Sequence, residues 1–153
     1  MDRNFILESA KKLKQVSRKS AEEYSEKSEM LIAKINELMI ERADLEKFIG
    51  EDNIAMMKDN HANHVRFISS MLKMYNPEVL TDTVLWVFRA YRSHGFKTNY
   101  WATQLNAWIL VIHQLLSKES FNEIYPIYEW MQINIPIFVK LSDEKLEASN
   151  SLH

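Results

Sequence analysis

The chain has no cysteine, which removes disulfides, thiolate zinc sites, iron–sulfur clusters and cysteine nucleophiles together. The absence fits a reducing compartment. Turn chemistry is also scarce, with two glycines and three prolines in 153 residues. That argues against a sandwich, a barrel or a glycine-rich phosphate loop. Neither sign of charge prevails, since 19 basic groups against 21 acidic ones leave −2. A phosphate-neutralising surface is therefore missing, and no nucleic-acid partner is expected. No apolar run approaches the roughly 18 residues of a membrane span. The opening MDRNFILESAKKLK lacks the long apolar region of a signal peptide, so a cytoplasmic location is expected.

What remains reads as one all-α domain over residues 1–153. Residues 1–49 hold no glycine or proline. Leu31, Ile35, Leu38, Arg42, Leu45 and Ile49 step 4-3-4-3-4 along them, a heptad-like register whose backward extension turns polar. A continuous helix and a break into two near Ser17–Ser20 are both compatible with this. Residues 1–20 carry six basic and two acidic groups, against four and eight over 21–50. The lysine-rich start (Lys11, Lys12, Lys14, Arg18, Lys19) reads as a solvated face of a helical extension over 1–20, which either packs on the core or projects from it.

Gly50 predicts a helix end, because glycine takes a left-handed backbone cheaply. A helix over about 54–75 follows. Asn76-Pro77-Glu78 predicts the start of the next, with a capping asparagine, a proline in the first turn and an acid at the positive end. Gly95 closes it after His94. Thr98 and Ser117 are expected caps for helices over about 99–116 and from 118 to about 141. Pro136 should kink or end the last of these, and the spacing of Tyr128, Met131, Ile135, Phe138 and Leu141 favours a kinked continuation. The tail over 142–153 reads as frayed or linker-like. Five to seven helices are expected in all.

Residues 98–137 carry only four charged side chains, Lys118, Glu119, Glu123 and Glu129, and 12 of the 17 aromatic residues lie between 85 and 138. Two helices this apolar sit at the centre of a fold or also form a subunit interface. A homodimer using Trp108, Ile112, His113, Tyr128, Met131 and Ile135 is the expectation. At such an interface His113 would make the packing pH-sensitive.

The stretch YRSHGFKTNYWATQLNAW, Tyr91 to Trp108, resembles the junction of the F and G helices in bacterial globin-coupled sensors. Gly95-Phe96 matches that family's glycine–apolar pair, and Tyr100-Trp101 its adjacent aromatics. His61 through Leu72 to Asn76-Pro77 looks like its E helix and the turn into F. The resemblance spans about 60–140. Where the family places its haem-ligating histidine, four residues before the glycine, this chain has Tyr91. Tyrosinate can ligate ferric haem, but it is not that family's usual ligand. His94 stands about 300° around the helix from position 91, a poor substitute. The resemblance therefore implies a globin-like domain that has lost haem, similar to the haem-free globin domains of bacterial stressosome proteins. That family dimerises through the helices equivalent to 99–116 and 118–141.

The implied function is non-catalytic signal sensing or relay, acting by helix repacking on a protein partner or an output domain. A haem sensor of a diatomic gas and a helical adaptor without a pocket are the rival readings. His61, His64, Phe67, Trp86, Tyr91 and Trp101 are the candidate pocket residues, for a small apolar ligand such as a fatty acid. Each also has a plainer reading as core. His61 and His64, three apart on one helix face, could belong to a metal site, a distal haem pocket or a half-buried helix surface. No Glu-x-x-His or His-Glu-x-x-His supports a metal. No Ser-His-Asp spacing or paired carboxylates support catalysis.

Overall fold

The computed structural model describes the backbone of residues 2–151 and the side chains of residues 2–144. The described residues form nine α-helices and no strand. They are α1 (Arg3–Ala10), α2 (Arg18–Glu26), α3 (Ser28–Ile40), α4 (Leu45–Ile49), α5 (Ile54–Lys73), α6 (Pro77–Arg92), α7 (Thr98–Leu115), α8 (Lys118–Ile133) and α9 (Ile135–Ser151). None is long and apolar enough to cross a membrane.

There are more helices than expected because residues 1–49 break three times. Ser17 ends the first gap by accepting the Ser20 N–H on its Oγ. The heptad-like run is not one helix: Arg42 lies between α3 and α4 and pairs with Asp44. Leu31, Ile35, Leu45 and Ile49 are buried in the chain's own core. The start is no projecting extension either. Ile6 and Ala10 are fully buried, α1 packs on α6, and Arg3 grips Asp82 with two nitrogens. Lys11, Lys12, Lys14, Arg18 and Lys19 are exposed.

The two glycines meet in space. Gly50 (φ 84°) and Gly95 (φ 99°) both take the left-handed backbone that a Cβ would strain. Asn53 clasps the two turns together, its Nδ2 donating to Ile49 O and His94 O at 2.7 and 3.0 Å. This joins the end of α4 to the α6–α7 turn.

Asn76 Oδ1 accepts from Glu78 N and Val79 N, as the Asn-Pro-Glu signal predicts. α6 ends at Arg92, so His94 lies in the turn. Thr98 is not a cap. It is the first residue of α7, Lys97 stands before it, and no side chain closes that end. Pro136 is the second residue of α9, where a missing N–H costs nothing. The expected kink is a break at Asn134, whose Nδ2 donates to Trp130 O. α9 carries on through the start of the expected tail: Ser142 is buried and accepts from Arg92. The last two residues of that tail lie outside the described residues.

α3 packs on both α5 and α7, α2 on α8, α7 on α8, and α6 on α1 and α9. Trp108, Tyr24, Tyr100, Tyr128 and Phe138 are fully enclosed among them. The α2–α8 contact is a reciprocal cap. Glu123 takes the Ser17 N–H and the hydroxyls of Ser17 and Ser20. Glu23 takes the Ser117 N–H and the hydroxyls of Ser117 and Ser120. Each helix thus supplies the carboxylate that holds the other's positive end. The sequence signal is a Ser-x-x-Ser-x-x-Glu pattern at 17–23 that recurs at 117–123.

Candidate functional site

α5 and α6 make little direct contact. Between them, floored by α7, lies a cavity of about 210 Å³. α5 contributes His64 and Phe67, α6 contributes Val84, Trp86, Val87, Phe88 and Tyr91, and α7 contributes Trp101, Gln104 and Leu105. Met131 closes it from α8, and no Asp, Glu, Lys or Arg lines it. The exposed Asn63 and Trp86 stand at its mouth, Trp86 at 57% exposure.

Of the six pocket candidates, the fold brings His64, Phe67, Trp86, Tyr91 and Trp101 onto this wall. His61 lies behind it, fully buried, with Nδ1 2.6 Å from Asn36 Oδ1. With that oxygen accepting, the proton sits on Nδ1 and the imidazole is neutral. Burial holds its pKa down to about 3. His64 turns Nε2 to the Tyr128 hydroxyl at 2.9 Å and stacks on Trp108 at 4.7 Å. Burial, with a smaller contribution from His61, lowers it to about 3 as well. Tyr128 continues to Tyr24, hydroxyl to hydroxyl, at 2.7 Å. Burial pushes both phenols upward.

A second polar chain crosses the floor. Gln104 Nε2 donates to Asn60 Oδ1 and to the Tyr100 hydroxyl, and Tyr100 donates to the same Asn60 oxygen at 2.9 Å. The Trp101 indole N–H is buried without an acceptor, although its ring stacks on Phe88 at 4.6 Å. An unmet buried donor costs about 1–3 kcal/mol. Trp101, Asn60 and Gln104 gave no polar signal in the sequence, because a lone tryptophan or carboxamide on an apolar helix reads as core.

The residues do not fit a haem. His64 spends its Nε2 on Tyr128, His61 stands behind the wall, and His94 is exposed beyond the end of α6. Tyr91 reaches the wall but packs edge-on against Phe96 and Trp101. The space also falls below the roughly 300–1,000 Å³ of drug-sized ligand sites. Among the described residues no three His, Asp or Glu side chains cluster as a metal would need.

The expected interface residues need correcting. Trp108, Ile112, Tyr128 and Met131 are buried in the chain's own core and offer no surface to a second copy. Ile135 is half-buried, and only His113 is exposed. What is exposed instead is Asn106, Leu110 and His113 on α7, beside the half-buried Phe121 and Tyr125 on α8. His113 packs edge-on against Phe121, which stacks on Tyr125.

No protein-family model matches the chain, and neither a curated protein nor a solved structure matches it.

Proposed function

We propose that this chain is a haem-free, globin-like sensing domain that binds a small apolar ligand between α5 and α6 and relays it without catalysis. The cavity carries this reading, because it is an apolar, charge-free space between two helices that barely touch. On the resemblance, α5 would correspond to the E helix, α6 to the F helix and α7 to the G helix of such a domain. A ligand that fits one spacing of α5 and α6 better than another shifts the population toward it. α6 would carry that shift outward. It is tied to α1 by Arg3–Asp82 and to α9 by Arg92, which bonds Ser142 and Asp143. Either connection can act on a partner or an output domain.

The homodimer belongs to the same proposal, through the outer faces of α7 and α8. Over its 18 residues α7 has no Asp, Glu, Lys or Arg, and Leu110 is 56% exposed on it. Such a helix loses little on covering by a second copy.

Ethylbenzene tests the cavity. It should raise the melting temperature of wild type and leave Val87→Phe, which fills the space, unmoved. No shift in wild type would end the ligand reading and favour the helical adaptor. Sedimentation tests the pairing: wild type should run as a dimer and Leu110→Glu as a monomer with an unchanged helical spectrum. A wild-type monomer at all concentrations removes the dimer.

A further inference from the structure

His64 Nδ1 and the Tyr91 hydroxyl open on the α5–α6 cavity and take part in no hydrogen bond among the described residues. The Tyr91 hydroxyl turns freely and donates or accepts as required, so it selects little. The His64 ring is held, stacked on Trp108 at 4.7 Å and edge-on to Tyr128 at 5.4 Å. The chain behind it also fixes where its proton stands. His64 Nε2, the Tyr128 hydroxyl and the Tyr24 hydroxyl stand in line at 2.9 and 2.7 Å. With the imidazole kept neutral by burial, these three side chains share three protons. In one direction His64 donates to Tyr128 and Tyr128 to Tyr24. The proton of Tyr24, a fully enclosed side chain, then finds no acceptor among the described residues. In the other direction Tyr24 donates to Tyr128, Tyr128 donates to His64 Nε2, and the third proton sits on Nδ1, open to the cavity. A sealed donor without a partner carries its full desolvation cost, so the second direction prevails. The wall has no cation, and a carboxylate drawn inside would lose its water without a counter-charge. The volume sets the size. An apolar cavity of about 150 Å³ takes up benzene. The cavity here, at about 210 Å³, leaves room for a few atoms more.

We propose that His64 stands in its Nδ1–H tautomer and is the polar anchor of the cavity, holding the carbonyl oxygen of a neutral, otherwise apolar molecule a little larger than benzene. The inference rests on the ligand reading above. A fatty acid, the ligand suggested by the sequence, fits neither the charge nor the length. A pure hydrocarbon fills the space but leaves the Nδ1–H without a partner. A ligand that donated to Nδ1 would have to reverse the chain and strand the Tyr24 proton. An added carbonyl meets the donor as it stands, so affinity rises without new apolar contact.

Three probes of similar size separate these cases on the full chain: acetophenone, ethylbenzene and benzoate, titrated by calorimetry. Acetophenone should bind roughly tenfold tighter than ethylbenzene, and benzoate should not bind. Nitrogen NMR reads the tautomer before any ligand is added. His64 should carry its proton on Nδ1 and leave Nε2 bare, and acetophenone should shift the Nδ1 resonance where ethylbenzene does not. His64→Phe keeps a flat ring against Trp108 and should erase the preference for the ketone while still binding ethylbenzene. The wild-type tautomer and its shift stand as the readout if that variant fails to fold. A proton on Nε2, or equal affinities for the ketone and the hydrocarbon, would overturn this inference and leave the ligand cavity intact. So would a ketone preference that survives in His64→Phe and disappears in Tyr91→Phe. Tighter binding of benzoate would overturn it too. Failure of all three probes would instead remove the ligand reading on which it rests.

Discussion

The α2–α8 seam and the α5–α6 cavity lie in one small domain and treat polar groups in opposite ways. At the seam every donor meets an acceptor. Ser17, Ser20, Ser117 and Ser120 all reach a carboxylate, and the two glutamates exchange helix ends. At the cavity, two helices stand apart, space is left, and a buried indole N–H has no acceptor. Satisfied groups make a rigid, single arrangement, whereas unmet ones mark where a fold tolerates a cost for another purpose. On the reading proposed above, the seam is the fixed frame against which α5 and α6 would shift.

The largest test of this contrast is removal of one side of the seam. Glu23 also holds Lys27 at 3.0 Å, so it anchors more than Glu123 does. Glu23→Ala should cost about 2–3 kcal/mol, from lost charge-assisted bonds and a lost helix cap, and lower the melting temperature by roughly 5–10 °C. Glu123→Ala, at a more exposed site, should cost clearly less. Equal losses on thermal unfolding would mean that the seam is symmetric in energy as well as in pattern.

Acid should strike the two regions in different windows. Burial lowers the His61 pKa from 6.5 to about 3. The unfolded chain therefore binds its proton first as pH falls, and the stabilisation, complete above about 6.5, is lost progressively down to about 3. At pH 5 this amounts to about 2 kcal/mol. His64 adds less, because its open side faces the cavity. Glu23 is lowered from 4.5 to about 2, by its bonds to the Ser117 N–H and hydroxyl, Lys27 and Ser120 overriding the upward push of burial. Its contribution is full above about 4.5 and fades toward 2. Denaturant unfolding from pH 7 to 3 should thus show an early loss that His61→Gln flattens and a later one that Glu23→Gln flattens. A single loss below pH 4.5 would mean that His61 is not desolvated.

The smallest effect belongs to the cavity. Val87→Phe should change stability by about 1 kcal/mol or less, upward where the ring fits the space. It should abolish binding of ethylbenzene all the same. A large destabilisation would mean that the α5–α6 space is already tightly packed.

Local signals were legible wherever a helix end is set by a single side chain. Asn76 and Ser117 cap, Gly50 and Gly95 turn, and the kink near Pro136 falls at Asn134. They failed where an end depends on a distant partner. Thr98 carries a capping side chain yet sits inside α7, because Lys97 N–H is already fixed to Phe48 O and sets where that helix begins. The heptad-like step over Arg42 failed for a related reason, since a matched spacing does not require a continuous helix.

The site was legible as a set of residues and not as a surface. His64, Phe67, Tyr91 and Trp101 share a wall because α5, α6 and α7 cross there. Trp108 and Trp86, both on apolar faces, part ways: one is fully buried and the other 57% exposed. In a helix as free of charge as α7, uncharged polar groups fall on both sides, Asn99, Asn106 and His113 exposed but Gln104 buried, while Leu110 faces out, so composition does not separate core from surface.

The sequence by itself determined an all-helical chain and most of its punctuation, because helix period, caps and glycine turns are local chemistry. Only the tertiary structure decided which apolar face is core, which is cavity and which is left outside. It also decided that Ser17 answers to Glu123 and Ser117 to Glu23. Burial and reciprocal bonding belong to pairs of helices that approach each other in space, and no single helix carries that information.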